Sequence, residues 1–178
     1  MTIAPDDKDW TWVVERPCPE CGFVAADLDP LAVADGLRAN AAAWRALLAH
    51  PAAAVRPQAD RWSGLEYACH VRDVFRLYDQ RLGWLLERDD PTFADWNQDA
   101  TAIEERYFEQ DPSTVAHEIE AAGAVLADHF DRVPNDGWSR IGGRSDGARF
   151  TVASFSRYLL HDPVHHVCDV EQGYSALS

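Results

Sequence analysis

Two histidines near the end of the chain have a spacing that suits metal binding. His161 and His165 are four residues apart, so on a helix their imidazoles project from the same face and can bind one metal ion. His70 lies on another predicted helix, at or beside its apolar face. Three neutral imidazoles suit Zn²⁺, Ni²⁺ or Cu²⁺ and leave coordination positions open for water or substrate. The sequence therefore predicts a catalytic type of metal site, the alternative being histidines that hold no ion.

Carboxylates near these histidines are candidates to orient them, because a metal-bound imidazole usually donates its other N–H to a carboxylate or carbonyl. Asp73 follows His70 by three residues, and Asp169 follows His165 by four. The alternative for both is an ordinary solvated surface position, since the chain has 30 acidic residues. His166 projects about 100° away from His165 and is a candidate for substrate contact.

A second possible site lies near the start of the chain. Cys18 and Cys21 belong to the sequence Cys-Pro-Glu-Cys-Gly, which is typical of half a zinc knuckle, with the glycine permitting a tight turn. A closed zinc site needs two more ligands, and Cys69 and Cys168 are isolated on predicted helices. The pair is a candidate second metal or redox site, and a metal-free turn is the alternative that we favour. Cys168 is either a further contact to the metal of His165 or a small core residue.

Three arginines are concentrated in a segment of turn signals between residues 134 and 150 of this acidic protein. Guanidinium groups suit carboxylates, so the segment is predicted to bind the carboxylates of a small thiol or of an acidic substrate. The alternative is internal pairing with nearby acids. The three residues are Arg140, Arg144 and Arg149.

Four long segments with apolar residues at helical spacing must position these side chains. Cap sequences mark the start of three of them, at Asp29, Ser63 and Asp111. Strand patterns are nearly absent, so burial of four apolar stripes predicts an all-α four-helix bundle. The predicted helices span about 30–50, 63–88, 111–133 and 151–173, with a weaker helix in 92–110 and a long loop in 134–150 before the last helix.

Pro163 lies between the two histidines of the last predicted helix. It lacks an N–H and clashes with the preceding turn, which costs about 3 kcal/mol in a straight helix. We expect a kink between Leu159 and Pro163 that keeps the imidazoles together. The alternative is that Asp162 caps a new helix at Pro163, which would turn His161 away from His165.

Length and composition agree with one globular domain. The chain has 178 residues, 47% of them hydrophobic and 26% charged, which is enough to bury one ordinary core. No linker or repeat divides it. We therefore predict an irregular N-terminal arm over residues 1–29, which contains the cysteine turn, followed by a helical bundle over residues 30–178.

The charge and the apolar runs exclude several classes of partner. A net charge of −14 disfavours nucleic acid, because phosphates would be repelled over most of the surface. No run approaches the roughly 18 apolar residues of a membrane span, and the N-terminus lacks the apolar stretch of a secretory signal. We expect a cytoplasmic protein with reduced thiols and a small-molecule substrate. Trp84 and Trp96 are candidates for the face of a homodimer.

The order of these motifs resembles the DinB-like superfamily, in particular the branch that includes the mycothiol-dependent maleylpyruvate isomerases. The resemblance covers residues from about 30 to 172. It rests on a tryptophan, a cap and a histidine at the start of the second helix, followed by His-x-x-x-His and an aspartate on the last helix: Trp62, Ser63, Glu66, His70, His161, His165 and Asp169.

The resemblance implies a DinB-type four-helix bundle that holds a divalent metal, Zn²⁺ or Ni²⁺, at His70, His161 and His165. In the isomerase branch the position that matches His161 is usually glutamate, so this chain is more similar to the three-histidine form. The implied activity is transfer or isomerisation of a small molecule with a low-molecular-weight thiol such as mycothiol. Metal-assisted hydrolysis and a non-catalytic, stress-related metal-binding bundle that acts through partner contacts are the alternatives.

Overall fold

Four amphipathic helices form the body of the protein in a computed structural model that describes residue 3 and residues 8–178. The helices are α1 (Val33–Leu48), α2 (Gly64–Glu87), a short α3 (Gln98–Glu104), α4 (Pro112–Asp131) and α5 (Val152–Leu177). Helix α1 contacts α4 and α5, and α2 contacts the same two helices. The predicted all-α four-helix bundle is therefore confirmed.

The helices begin where their side chains can satisfy the first free backbone N–H groups. Ser63 and Glu66 form a complete capping box at the start of α2. The Asp111 carboxylate accepts from the Thr114 N–H at the start of α4. Asp29 caps a single 3₁₀ turn that leads into α1. The predicted starts at residues 29, 63 and 111 are therefore confirmed, because each depends on a contact within three residues.

The core lies between the four helices and is made of large apolar side chains. Trp44, Phe75 and Phe155 are almost fully buried, and each contributes roughly 1.5–3 kcal/mol through loss of contact with water. Gly123 of α4 lies so close to α1 that an added Cβ would stand 2.8 Å from the Ala41 Cβ. A larger residue at this position would force the two helices apart.

A small sheet covers one end of the bundle, in place of the loop predicted for residues 134–150. Strand β1 (Thr92–Phe93) pairs in parallel with β2 (Ile141–Arg144), and β2 pairs in antiparallel fashion with β3 (Arg149–Thr151). The loop prediction missed β2 and β3, and the weak helix predicted for 92–110 begins only at Gln98, after β1, because each strand is only two to four residues long. Strands of this length show no measurable alternation of apolar and polar residues.

Helix α5 continues through Pro163 without interruption. The alternative in which Asp162 caps a new helix is therefore wrong, and His161 and His165 remain neighbours, with ring centroids 5.1 Å apart. The Asn40 side chain of α1 donates to the Pro163 carbonyl at 2.9 Å. This contact fixes α1 against the part of α5 that carries the histidines.

The N-terminal arm packs on α5 through two short 3₁₀ turns, Thr11–Val14 and Ala25–Asp27. Val13 and Cys18 are buried in this contact. Trp84 and Trp96 are partly buried against the core, and their place on a dimer face stays a prediction. Within residues 3 and 8–178, none of the helices combines the length and the apolar character that a membrane span requires.

Candidate metal centres

Helix α5 carries two pairs of potential metal ligands, offset from each other by one residue. His161 and His165 form one pair, and Asp162 and His166 form the other. Each pair has the four-residue spacing that places both side chains on one face of a helix. Because successive residues are rotated by about 100°, the two pairs face different neighbours.

The second pair faces α2 and forms with His70 a group that we call the cavity cluster. The ligand atoms of His70, Asp162 and His166 all lie within 4.8 Å of one another. The Asp162 Oδ1 atom is 3.4 Å from His70 Nε2 and 3.8 Å from His166 Nε2. Ligands about 2.1 Å from a tetrahedral zinc ion are about 3.4 Å apart, so this spacing fits a divalent cation.

Polar atoms of the cavity cluster are buried without a hydrogen-bond partner among the described residues. They are both ring nitrogens of His70 and the Oδ1 atom of Asp162. Buried polar atoms are almost always paired, because an unpaired one has lost its hydrogen bonds to water. A cation bound between these nitrogen and oxygen atoms would explain why they are buried close to one another.

Charge and hydrogen bonding prepare these residues as ligands. Burial alone would raise the pKa of Asp162, but the adjacent His70 and His166 rings outweigh it and lower the pKa to about 2. Asp162 is therefore a carboxylate at neutral pH. The His166 Nδ1–H group donates a hydrogen bond to an Asp169 carboxylate oxygen at 3.0 Å, so Nε2, 3.8 Å from Asp162 Oδ1, is the ring nitrogen free to act as a ligand.

Aromatic rings hold the imidazoles of the cavity cluster. Trp96 stacks on His70 with an interplanar angle of 6° and a centroid distance of 5.2 Å, and Tyr67 packs on His166 at 4.9 Å. Asp162 and His166 line a cavity of about 880 Å³, which His161 and His165 line as well, whereas His70 stands behind Asp162 and is not part of the lining. This volume lies within the range of small-molecule sites.

The first pair faces the N-terminal arm and forms with Cys18 and Cys21 a group that we call the arm cluster. Its four ligand atoms also lie within 4.8 Å of one another, and Cys18 Sγ is 3.7 Å from His165 Nδ1. Burial, reinforced by the neighbouring His165, lowers the pKa of His161 to about 4. The His161 ring is therefore neutral at pH 7.

The structure thus divides the predicted three-histidine set between two clusters. His161 and His165 join the cysteines of the arm, whereas His70 joins Asp162 and His166. The prediction that His70 shares one metal with the other two stays untested, but the one-residue offset on α5 places Asp162 and His166, rather than His161 and His165, in the group that contains His70. That any of these residues binds metal remains a prediction.

Asp73 and Asp169, the carboxylates that we predicted to orient His70 and His165, have other hydrogen-bond partners in the structure. Asp73 accepts from Arg72 at 2.8 Å and from the Tyr107 hydroxyl at 2.5 Å, so it does not orient His70. Asp169 lies 3.0 Å from His166 Nδ1 but 3.7 Å from His165 Nε2. Its hydrogen-bonded partner is therefore His166.

The three arginines of the loop have separate surroundings. Arg140 donates to the backbone carbonyls of Leu85 and Arg88 at the end of α2. Arg149 pairs with Asp90. Arg144 lines the cavity, donates to the Tyr158 hydroxyl at 3.0 Å and pairs with Asp146. The alternative of internal pairing with nearby acids therefore holds for Arg144 and Arg149, and anion binding by the loop stays a prediction.

Cys168 belongs to neither cluster. Its Sγ atom accepts from the Gln172 side chain at 3.1 Å, so its suggested role as a further contact to the metal is not supported. Asp162 and Trp96 are site residues that sequence reasoning missed. A signal for Asp162 was present, since Asp162 and His166 repeat the spacing of His161 and His165 one residue later.

No protein-family model and no curated protein matches the sequence. Among solved structures, the chain is similar to YfiT from Bacillus subtilis, described as a probable metal-dependent hydrolase with an unusual four-helix bundle topology. The TM-score is 0.68 at 12% sequence identity, over 90% of this chain and 91% of YfiT. The chain therefore has the four-helix bundle fold of YfiT, as its resemblance to the DinB-like superfamily implied.

Proposed function

We propose that the protein is a metal-dependent hydrolase of a small molecule, with the cavity cluster as its catalytic centre. The observation that carries this proposal is the set of unpaired, buried ligand atoms of His70 and Asp162 beside the 880 Å³ cavity. The fold that the chain shares with YfiT supports it, since YfiT is described as a probable metal-dependent hydrolase.

Three protein ligands are the number typical of a catalytic zinc site, in which the fourth position takes water or substrate. Two imidazoles and one carboxylate suit Zn²⁺, and Ni²⁺ is the second candidate. The ion would lower the pKa of a bound water and supply hydroxide at neutral pH. Asp169 holds the His166 ring through Nδ1, and Trp96 covers one face of His70.

The cavity lining favours a neutral or cationic substrate. Among the described lining residues, carboxylates outnumber cationic side chains, and several aromatic rings stand between them. Such a surface repels anions and attracts cations to ring faces. The expected acidic substrate is therefore not part of this proposal. The carboxylates are Asp9, Glu20, Asp60, Asp95, Asp99, Asp146, Asp162 and Asp169, against Lys8, Arg61 and Arg144.

A thiol-dependent transferase is the second candidate function. Its support is the size of the cavity, since about 880 Å³ is near the upper end of small-molecule sites and has room for a thiol beside a substrate. A low-molecular-weight thiol such as mycothiol would then take the position of the water. Turnover that requires added thiol would favour this candidate over hydrolysis.

The test is a panel of neutral and cationic carboxylic esters, amides and phosphotriesters, assayed with Zn²⁺- or Ni²⁺-loaded protein, with and without thiol. His70→Ala should lower kcat/KM by about 1,000-fold or more, because hydroxide is no longer formed at neutral pH. His117→Ala is the matched control, since His117 is exposed and bonds only to its own helix among the described residues.

Two results would contradict the proposal. Hydrolysis that His70→Ala leaves unchanged would place the reaction elsewhere. Metal that binds to the cavity cluster without turnover of any substrate class would support the alternative of a non-catalytic metal-binding bundle.

A further inference from the structure

We propose that the arm cluster is a structural zinc site, in which Cys18, Cys21, His161 and His165 bind one Zn²⁺ and fasten the N-terminal arm to helix α5. The site is separate from the cavity cluster. It does not depend on the proposed hydrolase activity, because no ligand is shared between the two groups.

The donor set is the first argument. Two thiolates and two imidazoles form a closed tetrahedral site of the kind that zinc occupies for structural purposes. The spacing of both halves agrees with such sites, since Cys-x-x-Cys in the arm is joined by His-x-x-x-His on the helix. Two thiolates also balance the charge of the ion, which suits a buried position.

The geometry is the second argument. A thiolate sulfur and an imidazole nitrogen bound to one tetrahedral zinc are about 3.6 Å apart, and Cys18 Sγ is 3.7 Å from His165 Nδ1. Cys18 is 1% exposed and His161 is 4% exposed. The Nε2 atom of His161 is buried without a hydrogen-bond partner among the described residues, as expected for an atom that a metal would bind.

The backbone of the arm holds the two cysteines in a turn that presents both thiols to α5. The Gly22 N–H donates to the Cys18 carbonyl, and the Cys18 N–H donates to the Phe23 carbonyl, both at 2.9 Å. Gly22 has a φ of +76°, a left-handed conformation that glycine adopts without a Cβ clash. The turn is therefore formed by the chain itself.

Carboxylates stand behind one of the imidazole ligands. The Nδ1 atom of His165 faces Cys18, and its Nε2 atom is 3.7 Å from carboxylate oxygens of Glu20 and Asp169. Carboxylates near the second nitrogen are typical of metal-binding histidines, because they fix the ring and raise its basicity.

Zinc at this position would complete one wall of the cavity. Trp10 of the arm packs on His161 and His165 at centroid distances of 5.2 and 4.9 Å. Trp10 and Glu20 also line the cavity. Loss of the ion would therefore release the arm while leaving the core of the bundle, which lies between α1, α2, α4 and α5, intact.

The first experiment measures zinc per chain in full-length protein purified without chelator. Cys18→Ser and Cys21→Ser should each lose about one equivalent relative to wild type, whereas Cys168→Ser, the matched control, should lose none. His70→Ala should keep this equivalent. Equal zinc content in Cys18→Ser, Cys168→Ser and wild type would overturn the proposal.

The second experiment uses wild-type protein and so does not depend on the folding of a variant. Replacement of zinc by Co²⁺ should produce a thiolate-to-metal charge-transfer band and the strong visible bands of tetrahedral cobalt. These bands should persist in His70→Ala. Their absence from wild type, or a Cys18–Cys21 disulfide without zinc in freshly purified protein, would show a redox pair or an ordinary turn instead.

Discussion

The arm cluster and the cavity cluster are built on the same helix from neighbouring residues, yet they differ in ligand number, ligand type and surroundings. The arm cluster has four donors, two of them sulfur, and lies between the arm and α5, with the cysteines away from the cavity and both imidazoles at its wall. The cavity cluster has three donors of nitrogen and oxygen, of which Asp162 and His166 line the same cavity. A closed set of four leaves no position for a substrate, whereas a set of three does. The comparison shows how one helix can carry ligands suited to structure and to chemistry at the same time.

The largest expected difference in metal affinity between the two clusters concerns Asp169. This residue lies near both clusters but hydrogen-bonds to His166. Asp169→Ala should lower the metal affinity of the cavity cluster by about 10- to 100-fold, because the His166 ring loses the group that orients it. The zinc affinity of the arm cluster should fall less, because Glu20 lies at the same distance of 3.7 Å from His165 Nε2 and stays in place. Competition with a chelating dye measures both affinities.

The matched control is Asp79→Ala, which removes a carboxylate from another histidine, His129, at a similar distance of 2.8 Å. It should leave both affinities unchanged. An equal loss of affinity at the two clusters in Asp169→Ala would contradict the difference drawn between them.

A smaller effect is expected at Glu66, which caps the start of α2, the helix that carries His70. The Glu66 carboxylate is buried, pairs with Arg56 and accepts from the Ser63 N–H at 2.9 Å. Glu66→Gln should lower the free energy of unfolding by about 1–3 kcal/mol, because Arg56 loses its charged partner. Denaturant unfolding measures this loss, and Glu120→Gln, which removes a more exposed pair with Arg45, should cost less than about 1 kcal/mol.

The effect of Glu66→Gln should also depend on pH. Burial alone would raise the pKa of Glu66, but Arg56 and Ser63 outweigh it and lower the pKa below the ordinary value of 4.5. The stability that this carboxylate contributes is therefore present above pH 4.5 and is lost as the pH falls through the lower folded-state pKa. A difference between wild type and Glu66→Gln that grew with acidity would contradict this assignment.

The smallest expected effect concerns the sheet end of the bundle, which contributes a ligand to neither cluster. Arg140→Ala should lower the free energy of unfolding by about 1 kcal/mol, since the carbonyls of Leu85 and Arg88 lose a donor. Metal content and kcat/KM should not change. A change in KM would instead return Arg140 to the substrate-binding role that the sequence suggested.

Local features of the fold could be read from the sequence because their causes are local. The capping box of Ser63 and Glu66 and the cap at Asp111 depend on contacts within three residues. The small sheet could not be predicted in the same way, since Thr92 pairs with Gly143 across about fifty residues of chain. Nothing in either short segment indicates its partner.

Most of the metal-ligand candidates could be predicted, but Asp162 was missed and the grouping of the candidates could not be predicted. His70, His161 and His165 all belong to a cluster, as expected for side chains of this type. The cluster that each histidine joins depends on the angle at which α5 faces α2 and on the path of the arm back to α5. Neither is encoded in spacing along a helix. The sequence did contain one signal of the arm cluster. Its Cys-x-x-Cys and His-x-x-x-His motifs together have the spacing of a four-ligand site.

The one-residue offset between the ligand pairs of α5 restricts how this helix can change over evolutionary time. An insertion between Asp162 and His165 would rotate everything after it by about 100° and would misalign both pairs together. A point substitution, in contrast, can remove either cluster while sparing the other. We therefore expect descendants of this sequence that keep even one of the two proposed sites to show no insertions or deletions between residues 162 and 165.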